Sequence, residues 1–196
     1  YVPVIPNSTV TSSAVAGAIQ VIVLDNHGKE YATSNGSIDA TLDTTNTKFK
    51  ISNTGASTIT GTYNQSVFYI YSGTGTGQYS TIANHIANSS GIYIILDNAI
   101  TTPDSTSLYL ISPQVKIEGD GINAFAISHV DYTTGEIDSI EVKKWGRNYT
   151  YANVSIVANT LFGYGANAYA IIPPKGGHGS DVVSELGTNI MGISLS

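Results

Sequence analysis

The stretch Pro173-Pro174-Lys175-Gly176-Gly177-His178-Gly179-Ser180-Asp181 is the sharpest local concentration of chemistry-bearing residues in the chain. A lysine, consecutive backbone amides and the start of a helix could together hold an anion. No Gly-Lys-[Ser/Thr] run precedes that helix, so this is not the P-loop pattern. His178, Ser180 and Asp181 are also too close in sequence for a Ser-His-Asp triad, whose members converge from separate segments. The stronger reading is a loop that ends in a capped helix and serves as a docking surface. Its candidate contact residues are Lys175, Gly176, Gly177, His178, Gly179, Ser180 and Asp181.

Other candidates for chemistry are dispersed. His27, His85, His129 and His178 lack the i, i+4 or short-loop spacing of a zinc site. Neither Asp39 with Asp43 nor Glu118 with Asp120 matches a calcium-loop signature, although Gly119-Asp120-Gly121 could hold an ion weakly. The carboxylates show no spacing that selects a glycosidase pair. Gly119-x-Gly121 and Gly163-x-Gly165 lack the third glycine of a dinucleotide fingerprint and lead into strands, so they read as hairpin turns. No catalytic, cofactor or metal residue is assigned. Thirteen tyrosines invite a sugar-stacking reading; Tyr69 and Tyr71 would share one strand face with Val67, leaving Phe68 and Ile70 opposite. Tyrosine is also a good strand former and cross-strand partner, which is the commoner use.

Composition limits what these residues can be positioned by. The 196 residues contain 8 Lys and Arg against 14 Asp and Glu, a formal charge of −6. Charged residues make up 11% of the chain, well below the roughly 25% of an average soluble domain. With Arg147 as its one arginine and an acidic balance, the chain is a poor nucleic-acid binder. It has no cysteine, which excludes disulfides and thiolate zinc. No apolar run approaches the ~18 residues of a membrane helix. The opening Tyr1-Val2-Pro3-Val4-Ile5-Pro6 suits an internal piece of a longer protein.

The elements that must position the candidates are strands. Ala18 to Leu24, Val67 to Tyr71, Ile92 to Leu96, Ser107 to Ile111, Ala124 to Ile127 and Ala168 to Ile172 are short and rich in Ile, Val and Tyr. Turn residues punctuate them about every ten positions: Asn26-His27-Gly28, Asn35-Gly36, Gly73 to Gly77, Ser89-Ser90-Gly91, Pro103-Asp104 and Thr133-Thr134-Gly135 among others. Tyr79, Ile82, Ala83, Ile86 and Ala87 fit a helical face, but Ile82, Asn84 and Ile86 equally fit an alternating strand of a hairpin through Ser89-Ser90-Gly91, and the strand is the reading adopted. A short helix is expected near 181–186, capped by Ser180 or Asp181 and stopped by Gly187. The predicted fold is mainly β, an antiparallel sandwich or barrel with internally repeated β-meanders. Three segments are expected: an extended 1–14, a β-rich lobe at 15–111 and a second β lobe at 112–196.

Two internal repeats underlie that prediction. Gly17 to Tyr31 aligns without gaps to Gly135 to Tyr149 as G-x-I-x-x-I-x-[LV]-x-x-x-G-[KR]-x-Y. Gly119 to Ile127 aligns to Gly163 to Ile171 as G-x-G-x-N-A-[FY]-A-I. Residues 119–172 therefore read as strand, turn, strand, turn, strand.

Three stretches carry a resemblance. Gly146-Arg147-Asn148-Tyr149-Thr150-Tyr151-Ala152-Asn153-Val154-Ser155-Ile156 resembles the G-x-G-Y-T-x-A-x-V-x-I repeat of phage tail proteins, with Asn148 in place of the usual glycine. Gly75-Thr76-Gly77-Gln78-Tyr79-Ser80-Thr81-Ile82, followed by Ile100-Thr101-Thr102-Pro103-Asp104-Ser105-Thr106-Ser107-Leu108-Tyr109, is similar to a second phage structural pattern. The tail from Ile171 through Lys175 and Asp181 to Gly187 resembles the end of a domain in baseplate wedge proteins of T4-like contractile-tailed phages, in particular cyanophage-type relatives of the dimeric wedge subunit. The resemblance implies a non-enzymatic virion protein without a cofactor. Its expected partners are other baseplate wedge and tail subunits, with a homodimeric parent and no nucleic acid or membrane, and it would assemble in the host cytoplasm. The alternatives are a glycan-binding tail-fibre or adhesin module and, supported only by scattered carboxylates, a glycan-degrading hydrolase.

Overall fold

The computed structural model describes residues 15–52 and 55–173. They form twelve strands: β1 (Val21–Lys29), β2 (Ser34–Thr41), β3 (Lys48–Ile51), β4 (Val67–Ser72), β5 (Tyr79–Asn88), β6 (Gly91–Leu96), β7 (Leu108–Ser112), β8 (Gln114–Gly119), β9 (Ile122–Val130), β10 (Ile137–Arg147), β11 (Ala152–Val157) and β12 (Tyr164–Ile171). All pairings are antiparallel, and no helix occurs among the described residues. The mainly β expectation holds. The helix expected near 181–186 and the segment 1–14 lie outside the described residues.

Strands β2 to β7 close a barrel in the order β2-β3-β6-β5-β4-β7. Alternation fills it: Phe49 and Ile51, Phe68 and Ile70, Ile94 and Leu96, and Tyr109 and Ile111 all point inward and are buried. Phe68 sits between Phe49 and Tyr109, with ring centroids 6.1 and 5.3 Å away. Such offset pairs add about 0.5–1.5 kcal/mol each beyond the area they bury. Val67 and Tyr69 point out of the barrel, as the sequence predicts.

The second sheet has the order β1-β12-β11-β8-β9-β10. Its two outer strands meet: Ile19 N–H donates to Trp145 O at 2.8 Å, Tyr149 N–H to Gly17 O at 3.0 Å and Tyr31 N–H to Gly135 O at 2.8 Å. Because β1 pairs with β12, the sheets do not divide at 111/112 as the sequence lobes do. The barrel, Ser34 to Ser112, is inserted between the first strand of this sheet and the other five.

Three sequence expectations need correction in detail. Asn35-Gly36 is not a turn but the interior of β2, where Gly36 lies opposite the buried Tyr109. Asn26-His27-Gly28 is a bulged part of β1 rather than a chain reversal. Residues 119–172 contain four strands, since β11 intervenes before β12.

The first repeat becomes a pseudo-twofold relation. Gly17 and Gly135 each accept a hydrogen bond from the last tyrosine of the other copy. Equivalent residues share the left-handed backbone: Gly28 and Gly146 at φ 60° and 66°, Glu30 and Asn148 at 63° and 65°. Each copy carries a bulge at the same place, between Leu24 and Asn26 and between Val142 and Lys144. The central ladder obeys the same relation, with Val154 opposite Ile117 and Ile156 opposite Val115. The second repeat, however, is two residues out of step in space. Lys29 faces Tyr164 and its counterpart Arg147 faces Ile122, so Gly163 corresponds to Gly121 rather than Gly119. A shift of two preserves strand parity. Ala124, Ala126, Ala168 and Ala170 therefore all face the core, while Phe125 and Tyr169 face outward.

Candidate interaction surfaces

The two halves of the second phage-like pattern come together at one end of the barrel. Gln78 Oε1 accepts from Thr101 N–H. Thr74 Oγ1 donates to Asp104 Oδ2 at 2.7 Å, and Ser107 Oγ donates to Thr74 O at 2.6 Å. Asp104 Oδ1 accepts Thr106 N–H at 2.8 Å and Thr106 Oγ1 at 2.5 Å. These bonds, led by the Thr106 hydroxyl, hold the Asp104 carboxyl below the usual carboxylate range.

The first phage-like repeat is built in the same way. Asn148 takes the left-handed conformation that the pattern assigns to glycine, which asparagine tolerates best among other residues. Asp120 reaches across from the β8–β9 turn. It accepts Thr150 N–H at 2.9 Å, Thr150 Oγ1 at 2.5 Å and Tyr151 N–H at 3.2 Å. The Thr150 hydroxyl first, and these amides after it, pull the carboxyl down to about 2. The site considered for a weak ion is thus a turn brace. Asp43 does the same between β2 and β3, accepting from Thr45, Thr47 and Lys48.

The remaining sequence candidates do not converge. His27 Nδ1 bonds Ile137 O at 2.6 Å. His85 is fully buried under the ring of Tyr63, with centroids 4.6 Å apart, and neither of its nitrogens makes a hydrogen bond of normal geometry. Burial lowers its pKa to about 4, against a smaller opposing effect of the Ser57 backbone. Among the described residues no three His, Asp or Glu side chains group to hold a metal ion. No helix among them is long and apolar enough to cross a membrane. The loop from Lys175 to Asp181 lies outside the described residues.

What sequence reasoning misses is the seam between barrel and sheet. Val67, Tyr69, Phe125 and Ile127 form a separate buried cluster, with Leu110 packed against it. Beside it opens a cleft of about 290 Å³, lined by Asn35, Tyr69, Tyr71, Ile127, His129 and Lys143 among others. His129 also lines a neighbouring cleft of about 470 Å³ with Tyr132 and Asp138. Glu141 accepts from Lys143 Nζ at 2.6 Å and lies 3.3 Å from His129 Nε2. That bond to Lys143, more than the contact with His129, lowers the Glu141 pKa. Residues from β2, β4, β9 and β10 meet here, and no local motif announces a contact between segments so far apart.

Comparison of the chain with protein-family models, with curated proteins and with solved structures finds no match.

Proposed function

We propose that this chain is a non-enzymatic structural component of a phage tail baseplate wedge, acting through contacts with neighbouring subunits. The observation that carries the reading is the meeting of Gly75–Ile82 with Ile100–Tyr109 through Gln78 on Thr101, braced by Thr74, just before the first segment, on Asp104. The residues that resemble phage tail patterns are the ones that shape turns and close the barrel end. Carboxylates with favoured ionised forms, Asp104, Asp120 and Asp131, are engaged by the amides and hydroxyls of turns. Such residues serve rigidity, which a baseplate subunit needs in order to hold several neighbours in fixed geometry. A surface low in charge and rich in Ser, Thr, Asn and Tyr suits the polar rim of assembly interfaces.

The test uses the Gly-rich loop. Lys175→Ala and His178→Ala should each reduce incorporation of the chain into assembled tails, while the thermal midpoint of the isolated protein stays within about 2 °C of wild type. Unchanged incorporation, or unfolding of the isolated variants, contradicts the proposal.

A further inference from the structure

The seam between barrel and sheet carries an inference that stands apart from the assembly reading. We propose that the trough running from Tyr71 past His129 to Tyr132 binds a neutral oligosaccharide.

Two tyrosines bound the trough and face solvent. Tyr71 is 44% exposed and Tyr132 is 61% exposed. Burial first, and the neighbouring Tyr71 after it, raise the pKa of Tyr132 against a hydrogen bond with Thr33. Tyr69, by contrast, is buried in the floor beneath them. An aromatic face is complementary to the C–H face of a pyranose.

The polar groups between the rings select the ligand. Asn35 supplies an amide that both donates and accepts, and His129, whose Nε2 is engaged by Glu141, supplies its Nδ1. Glu141 is already paired with Lys143, whose ammonium also lies 5.6 Å from the centroid of the Tyr69 ring. The strongest charges at the mouth therefore satisfy each other. Asp131 and Asp138 flank the far end. An anionic ligand would meet those carboxylates, while Lys143, the one ammonium among the described residues lining the two clefts, is paired with Glu141. A polyol meets donors and acceptors throughout, since each sugar hydroxyl can do both.

Size and stiffness agree with this class. The two adjoining clefts measure about 290 and 470 Å³, within the range of small-molecule sites at unit boundaries. Tyr71, His129 and the Glu141–Lys143 pair stand on or beside hydrogen-bonded strands, so little ordering is needed on binding.

The experiment is an array of neutral hexose, N-acetylhexosamine and uronic-acid oligosaccharides probed with the full chain, followed by calorimetry on the best binder. Saturable binding of a neutral oligosaccharide is expected, with uronic-acid chains unbound. Tyr71→Ala and Tyr132→Ala should each weaken it at least ten-fold, and Tyr71→Phe should retain it. Tyr164→Ala, an exposed tyrosine of β12, should leave it unchanged. Absence of saturable neutral-sugar binding overturns the proposal, as does binding indifferent to Tyr71 and Tyr132. Self-association in light scattering that disappears in Tyr71→Ala, with no sugar bound, would assign the face to a second copy instead. Sugar binding by a chain absent from virions would sink only the assembly reading.

Discussion

Phe125 of β9 stacks on Tyr79 of β5 with ring centroids 3.5 Å apart and planes 7° from parallel. This contact joins the sheet to the inserted barrel. Lys144 Nζ lies 5.0 Å from the Tyr79 ring centroid, and Tyr69 meets Phe125 at 5.9 Å. Truncating a buried phenylalanine costs about 3–5 kcal/mol. Phe125→Ala should lower stability by about 3 kcal/mol and split urea unfolding into two transitions, read by circular dichroism and tyrosine fluorescence. A single transition at the wild-type midpoint would show that the stack does not couple the two parts.

Glycine is required where the repeats are tightest. A Cβ on Gly28 would stand 2.5 Å from Ala166 N, and one on Gly146 would stand 2.6 Å from Ile122 O. Both residues also hold positive φ. Gly28→Ala and Gly146→Ala should each cost about 2–4 kcal/mol. Similar losses from the two, measured by denaturant titration, are the signature of the pseudo-twofold relation.

Glu30 occupies the same left-handed position as Asn148, at φ 63°. A glutamate pays about 1 kcal/mol there that asparagine largely avoids. Glu30→Asn should therefore raise stability by about 0.5–1 kcal/mol, seen as a higher thermal midpoint.

The sequence makes the class of fold plain, because short Ile-, Val- and Tyr-rich runs between turn residues leave few alternatives. It also places β4 correctly, with Phe68 and Ile70 inside the barrel and Tyr69 outside. Other elements are hidden for identifiable reasons. Ile137-x-x-Ile140 breaks period-two alternation, and only the register shift between Ile137 and Ser139 reconciles the spacing with a strand. Asn35-Gly36 has turn chemistry but is held in β2 by its ladder to β7. The two-residue slip of the second repeat is invisible in an alignment, since either register keeps alanines inward. The seam around Tyr71 and His129 depends on how the inserted barrel sits on β9. That is a tertiary fact with no local code.

His85 makes the barrel sensitive to acid. Its folded pKa, about 4, lies below the ordinary value of 6.5 because burial disfavours the charged ring. The unfolded chain therefore binds more protons between these values, and stability falls as pH drops from 6.5 toward 4. The loss amounts to roughly 3 kcal/mol for a shift of this size. His85→Leu removes the buried unpaired nitrogens, so its stability should change less with pH across the same window. Parallel denaturation series at pH 7 and pH 4.5 check this; equal pH slopes for wild type and variant would exclude His85 as the cause.

Quantitative peptide mass spectrometry of purified phage virions and isolated tails tests the assembly reading most directly. Peptides of this chain at a fixed, low stoichiometry in the tail fraction are the predicted result. Their absence from the virion, or their presence only in soluble host extract, would contradict it.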